Sequence, residues 1–294
     1  MNSPTLQDYL QLMRLDKPVG TLLLLWPTLA ALCMAAEGLP PLHLVTIFTL
    51  GTFLMRSAGC VINDFADRKV DGFVERTKER PLVTGAISSK QAMRLFFALI
   101  ICAGSLLLFL NQTTQLLALG GLALAIAYPF MKRWTHMPQV VLGAAFSCGI
   151  PMAWSAQGLA VPGTSMLMFF TSLLWIVAYD TLYAMVDRND DLKVGIKSTA
   201  ILFGDLDRLM IGVLQALTLT GLYLLGQRLG YEHAYYAGLI VIAGLFVYQQ
   251  WLIRDRDRMG AFAAFRNNIL VGASLLIFTL MELLLTKFVL TSAL

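Results

Sequence analysis

Apolar residues run in long blocks along this chain, and polar residues gather in the gaps between them. Nine blocks can be drawn, at roughly 19–36, 42–62, 91–110, 114–131, 138–157, 163–186, 209–227, 234–253 and 269–290. Each is close to the ~20 residues that a helix needs to cross a hydrocarbon layer about 30 Å thick. None shows the alternation of a half-buried strand, and in lipid only helices and closed barrels satisfy their own backbone. The pattern therefore predicts an all-α polytopic membrane protein with nine transmembrane helices. Pro27, Pro129 and Pro151 fall within blocks and predict kinks or helix ends. Composition agrees: 57% of the 294 residues are hydrophobic and 14% charged, where soluble domains carry about 25% charged residues. Mean hydropathy is +0.70. No stretch is polar enough for a separate soluble domain, so one membrane-embedded domain is expected over 1–294.

The gaps fall into two kinds that alternate. Those at 37–41, 111–113, 158–162 and 228–233 are short and nearly uncharged, whereas 63–90, 132–137, 187–208 and 254–268 are long and charged. Of 22 Lys and Arg, only Arg228 and Lys287 fall on the first side, and Arg56 lies within a block. The positive-inside rule then puts the N-terminus and every charged gap in the cytoplasm. Residues 1–18 partly resemble a leader, but the run that follows is longer than a usual leader core and the alternation requires it. It is read as a retained helix.

Two charged gaps open on acidic clusters with the same lettering. The first is Asn63-Asp64-Phe65-Ala66-Asp67-Arg68-Lys69-Val70-Asp71; the second is Asp187-Arg188-Asn189-Asp190-Asp191, with Asp180 seven residues earlier. Both contain Asp-Arg-x-x-Asp, each ends an even-numbered helix, and an even offset turns both toward the same membrane face. This suggests an internal duplication, with units of about 1–137 and 138–268 and one further helix. If the helices continue past their apolar runs, Asp64, Asp67 and Asp71 share one stripe and Asp180, Asp187 and Asp191 another. Stacked carboxylates beside a bilayer need a cation. Mg²⁺ suits a few carboxylates joined by phosphate oxygens and water; the lack of His and Cys argues against zinc and copper. Glu75, Glu79, Asp205, Asp207, Asp255 and Asp257 read instead as solvated loop acids, and Asp190 as a solvated neighbour off the stripe.

Bases surround these acids. Arg56, inside the second block, is either a structural partner of Asp180 or a guanidinium at the cavity floor able to fork onto a substrate carboxylate. Lys132 and Arg133, after Tyr128 at the end of the fourth block, could neutralise diphosphate oxygens, as could Arg14, Lys17 and Arg68; Lys193 and Lys197 are candidates of the same kind. Tyr179, Tyr183, Trp26 and Trp175 read as packing or interface aromatics, and Gly51, Gly59, Gly143 and Gly149 as sites of close helix approach. The four cysteines, Cys33, Cys60, Cys102 and Cys148, read as small buried hydrophobes. His43, His136 and His233 are isolated.

With these residues in view the chain resembles the intramembrane aromatic prenyltransferases. The resemblance rests on Asn63-Asp64-x-x-Asp67-x-x-x-Asp71 and on Asp187-x-x-x-Asp191 within the stretch from Tyr179. Leu12 to Gly20, Tyr128 to Arg133 and Gly195 to Thr199 add to it. It implies two four-helix halves around a cavity, with Mg²⁺ held by Asn63, Asp67, Asp71, Asp187 and Asp191 against the diphosphate of a polyprenyl donor. It further implies Arg14, Arg68, Lys132 and Arg133 on the diphosphate side, Arg56 beside an aromatic acid acceptor, and Asp64, Lys17, Tyr128 and Lys197 among the substrate-binding residues. The implied acceptor is 4-hydroxybenzoate, on the route to ubiquinone, in a bacterial inner membrane; membrane lipid is the expected surrounding and no nucleic acid is expected. A dihydroxynaphthoate, a homogentisate or a porphyrin-derived ring is the rival acceptor. Asp180, Asp187 and Asp191 all stand as candidate proton acceptors. An ion-coupled transporter would also show repeats and intramembrane acids, but here the acids gather at one face and glycine-broken central helices are not evident.

Overall fold

The computed structural model describes residues 4–292 of the chain, and those residues form helices and connecting turns without a strand. The ends of the expected 1–294 domain lie outside the described residues. A short helix α1 (Leu6–Leu12) starts on Thr5, whose hydroxyl accepts from the Asp8 amide while the Asp8 carboxylate accepts from the Thr5 amide. Then come α2 (Val19–Ala35), α3 (Leu42–Asp67), a 3₁₀ turn at Asp71–Phe73, α4 (Pro81–Thr84), α5 (Ser89–Leu107) and α6 (Gln112–Trp134). The second part holds α7 (Pro138–Ser147), α8 (Gly149–Ala156), α9 (Gly163–Val194), α10 (Thr199–Phe203), α11 (Asp207–Leu229), α12 (His233–Leu252) and α13 (Arg258–Ser292).

Every apolar block became helix. Eight of the expected spans are long and apolar enough to cross a bilayer, with α7–α8 and α10–α11 each counting as one. The ninth, α2, has 17 residues, about 26 Å at 1.5 Å per residue, slightly short of a full crossing. Helices α3 and α9 are among those that overrun their apolar blocks: α3 continues past residue 62 to Asp67, and α9 past 186 to Val194. Their polar last turns are held by ion pairs, so the helix continues where hydropathy stops. Asp71 departs from the expected stripe, because α3 ends at Asp67 and Asp71 opens the 3₁₀ turn beyond it.

The largest core cluster joins α2, α8, α9, α11, α12 and α13, with Leu32, Ile150, Leu225, Tyr235 and Ile242 wholly buried. A second cluster packs Leu12 of α1 against Ala58 and Val61 of α3 and Phe96 of α5. Helices α12 and α13 approach closely at Gly238, where a Cβ would stand 2.5 Å from Phe278. Polar groups inside the bundle find partners, as lipid demands. Trp175 donates to Asn268 at 2.8 Å, and Gln215, Gln249, Gln250 and Asn267 form an amide chain with spacings of 2.8 to 2.9 Å. Glu282 of α13 accepts from the Glu232 and Tyr235 amides and so caps α12. Cys33 and Cys60 are buried as expected, but Cys102 is exposed on the outer face of α5. A thiol on a lipid-facing wall costs little, which is why burial was not required of it.

Candidate active site

The carboxylates stand where two long helices end. Asp64 and Asp67 occupy the last turn of α3, Asp71 the turn that follows, and Asp180, Asp187 and Asp191 one face of α9. All six line a single cavity of about 1100 Å³, together with Asn63, Arg14, Lys17, Arg56, Tyr128, Lys132 and Lys197. The two clusters therefore share one chamber. Arg68 and Arg133, the other expected bases, are not on its wall. Arg68 turns back on its own helix, donating to the Phe65 carbonyl and stacking 4.1 Å over the Phe65 ring. Arg133 donates to the Ala66 carbonyl at 2.7 Å and reaches Asp67 only at 4.0 Å. Both cap the C-terminus of α3, where cations meet the helix's free carbonyls.

Every acid but two is neutralised by a named base. Arg14 meets Asp64 at 2.9 Å from a left-handed backbone, φ 58°, just after α1. Arg80 uses one nitrogen on both Asp64, at 2.9 Å, and Asp71, at 2.7 Å. Lys132 reaches Asp67 at 3.1 Å and Asn63 at 3.4 Å, with its ammonium 5.6 Å from the Tyr128 ring centre. Arg76 forks onto Asp187, its Nε at 3.0 and 3.1 Å from the two oxygens, and lies 4.6 Å over the Tyr183 ring. Asp180 and Asp191 have no ion pair among the described residues. Burial pushes the Asp71 carboxyl above its ordinary range, with Arg80 pulling it back down.

Arg76 and Arg80 were not singled out from sequence. Their signal was present, five and nine residues after Asp71 in the same gap, but topology alone places bases there. Both oxygens of Asp64, expected among the substrate-binding residues, are engaged by Arg14 and Arg80, so from the cavity wall it fastens α1 and the 68–80 segment to α3. Two supposed solvated acids are also structural. Asp207 is fully buried between Arg188 at 3.0 Å and Arg256 at 2.8 Å, and Asp190 is buried against Arg258 at 2.7 Å. They lock α9, α11 and α13 together behind the site. Glu75, Asp205, Asp255 and Asp257 remain on the exposed side as expected, while Glu79 is exposed at the cavity rim.

Deeper in the chamber, Arg56 does not pair with Asp180. Its Nη1 contacts the Cys60 sulfur at 2.5 Å, and its Nε is buried without a hydrogen-bond partner among the described residues. Gly20 of α2 lies flat against it: a Cβ there would come within 2.4 Å of the guanidinium. An unsatisfied cationic donor in an apolar wall is a receptor for an anion.

For a divalent cation the donor set fits in kind. Asn63, Asp67, Asp71, Asp187 and Asp191 offer hard oxygens, and Asp191 has no ion-pair partner among the described residues. No group of three His, Cys, Asp or Glu forms a ready cage among the described residues. Mg²⁺ is commonly held by one or two carboxylates, its shell completed by phosphate oxygens and water.

A polytopic helical bundle with paired acidic clusters, bases and a buried guanidinium around one chamber defines a membrane enzyme for a charged head group. A family model, the UbiA prenyltransferase family, matches residues 24–279, and the chain belongs to that family of membrane prenyltransferases. It is 58% identical over 274 residues to the 4-hydroxybenzoate octaprenyltransferase of Alcanivorax borkumensis, spanning 93% of this chain and 94% of that one. It is 55% identical over 275 residues to the enzyme of the same name from Vibrio cholerae serotype O1, spanning 94% and 97%. Among solved structures, a UbiA homolog from Aeropyrum pernix K1 superposes with a TM-score of 0.79 at 22% identity over 89% of this chain and 97% of that one. A UbiA homolog from Archaeoglobus fulgidus bound to GPP and Mg²⁺ gives 0.70 at 20% identity over 92% and 99%. These structures share the fold.

Proposed function

We propose that this protein transfers a polyprenyl group from a polyprenyl diphosphate to 4-hydroxybenzoate, at the ring carbon ortho to the hydroxyl, releasing diphosphate. The reaction is a Mg²⁺-dependent step toward ubiquinone, carried out in the bacterial inner membrane with the N-terminus and the site facing the cytoplasm. The observation that carries this reading is the convergence of the α3 and α9 acids on one chamber whose floor holds the unpartnered Arg56 Nε. The names of the relatives supply the acceptor, and the distribution of bases supplies the orientation.

In this mechanism Asn63, Asp67, Asp71, Asp187 and Asp191 would hold the metal. When bound, Mg²⁺ supplies positive charge to the departing diphosphate. Lys132, Arg76 and Arg80 stand beside those acids and stabilise the same developing charge as the allylic C–O bond breaks. Arg56 anchors the acceptor carboxylate and so aims the ring. The chamber's apolar walls keep water from the allylic cation, leaving the ring carbon as the nucleophile at hand. A C–C bond forms, and the ring proton passes to one of the carboxylates that line the chamber, Asp180, Asp187 or Asp191. The matching order of elements in the two parts, a span, an Asp-ended helix, a short helix and two more spans, supports descent from a duplicated unit. The test is transfer of a radiolabelled prenyl group to 4-hydroxybenzoate by purified protein in lipid nanodiscs. Product that forms with Mg²⁺ and not with EDTA is expected; absence of product, or transfer indifferent to EDTA, overturns the reading.

A further inference from the structure

Two helices set the depth of the chamber. On α9, Tyr179, Tyr183, Asp187 and Asp191 follow one another every four residues, so they share one stripe with about 6 Å between steps. On α3, Arg56 lies seven residues, about 10 Å, before Asn63. All of these residues line the cavity. The charged end, at Asp187 and Asn63, is thus about two helical turns from the cationic floor at Arg56. Tyr183 and Tyr179 fill the interval on the α9 side, and both interact electrostatically with Arg56. A ring held by its carboxylate at Arg56 and presented to the charged end must lie beside these two tyrosines.

Phe265 of α13 completes that stretch of wall. Its ring centre is 4.7 Å from that of Tyr183 and 6.1 Å from that of Tyr179, and it too lines the cavity. Tyr183 also carries Arg76 at 4.6 Å over its ring, and Tyr179 meets Trp175 edge-on at 5.4 Å. Aromatic rings at such spacings and tilts hold one another in place. Phe265 has a second restraint. It packs against two hydrophobic clusters at once, the large one that includes Tyr179 and Val271 and the smaller one that includes Leu182 and Ile211. A side chain wedged between two close-packed groups cannot swing aside without opening both. The wall beside Arg56 is therefore aromatic and fixed in shape.

We propose that Phe265 is a specificity-determining residue: with Tyr179 and Tyr183 it admits an acceptor of one aromatic ring and excludes a fused bicyclic acid. The proposal rests on the transfer reaction above. The probe is 4-hydroxy-1-naphthoate, which is 4-hydroxybenzoate with a second ring fused along one side. Only one carbon ortho to its hydroxyl is free. With the carboxylate on Arg56 and that carbon toward the charged end, the added ring projects onto Phe265. Pockets discriminate a single methylene by about 10–200-fold, and a fused ring is a larger addition. In Phe265→Ala the ratio of kcat/KM for the naphthoate to kcat/KM for 4-hydroxybenzoate, with one donor in nanodiscs, should rise at least about ten-fold. Both rates come from one preparation, so the ratio does not depend on the fraction of protein folded. Phe265→Leu, a milder change, should move the ratio the same way and serves should the alanine variant not fold. A ratio unchanged from the wild type overturns the proposal. Equilibrium dialysis of the two radiolabelled acids, without donor, is the second measurement. The wild type should bind 4-hydroxybenzoate more tightly, and the variant should narrow that difference at least about ten-fold; an equal difference in both proteins overturns the proposal. The expected dialysis result in a protein that transfers no prenyl group would sink the proposed reaction and leave the ring filter standing.

Discussion

Arg80→Ala is the most informative perturbation of the site's framework. The Arg80 guanidinium touches two carboxylates at 2.9 and 2.7 Å, and its side chain is 11% exposed against 2% for Asp64 and 8% for Asp71. Removing one partner of a buried ion pair costs about 3–5 kcal/mol, because the remaining charge is left without compensation. Asp64 keeps Arg14, so the loss falls on Asp71 and lies at the lower end, about 3 kcal/mol. At ~2–4 °C per kcal/mol, the apparent Tm of the detergent-solubilised protein should fall by roughly 6–12 °C. The deficit should also depend on pH. Burial raises the Asp71 carboxyl and Arg80 opposes the rise, so in the variant the folded-state value climbs further above the unfolded one. A carboxyl raised in the folded state takes up its proton there first; stability is lost as pH rises through the folded value and recovered as pH falls. The Tm gap between variant and wild type should therefore be wider at about pH 8 than at about pH 5. Adding Asp71→Asn removes the orphaned charge and should recover most of the loss. A variant that melts within about 2 °C of wild type near pH 8 would refute the reasoning.

Two further outcomes follow from the chamber. Arg56→Ala should raise the acceptor's KM by roughly 10–150-fold, the equivalent of a charged hydrogen bond of ~1.5–3 kcal/mol, with a much smaller effect on the donor's KM. Gly20→Ala should move the acceptor's KM in the same direction with the arginine still present, since its Cβ would displace the guanidinium; equal effects on both substrates would remove Arg56 from the acceptor. Asp67→Ala and Asp187→Ala should each lower kcat by roughly 10²–10³-fold or more, while circular dichroism and size-exclusion elution match the wild type. Wild-type rates in either variant would refute the metal assignment.

Hydropathy located every membrane-length helix, because a bilayer admits few alternatives to an apolar helix of fixed length, but not the short helices α1, α4 and α10. It misjudged ends such as Asp67 and Val194, since a helix stops where its last carbonyls find partners and not where its residues turn polar. The acids were legible as a pair because the same lettering recurs at equivalent helix ends. The partners of those acids were not. Arg76 and Arg80 look like any cytoplasmic bases until the 68–80 segment folds back over the chamber, and Asp190 and Asp207 look like loop acids until α9, α11 and α13 close around them. Arg68 and Arg133 were misplaced for the converse reason: adjacency to the motif put them near the site, but helix rotation points them at the end of α3. Local spacing fixes which face of one helix a residue shares, and says little about pairings across fifty or more residues.

The length of α9 has its own consequence. Its 32 residues make a rod of about 48 Å, well beyond a hydrocarbon layer of about 30 Å, so Asp187 and Asp191 ride on unbroken helix. Opposite them, Asp71, Arg76 and Arg80 sit on irregular chain that begins where α3 ends. The two sides of the site are therefore set by different means: the register of Asp187 and Asp191 by the membrane-crossing rod, and that of Asp71 by its ion pair with Arg80.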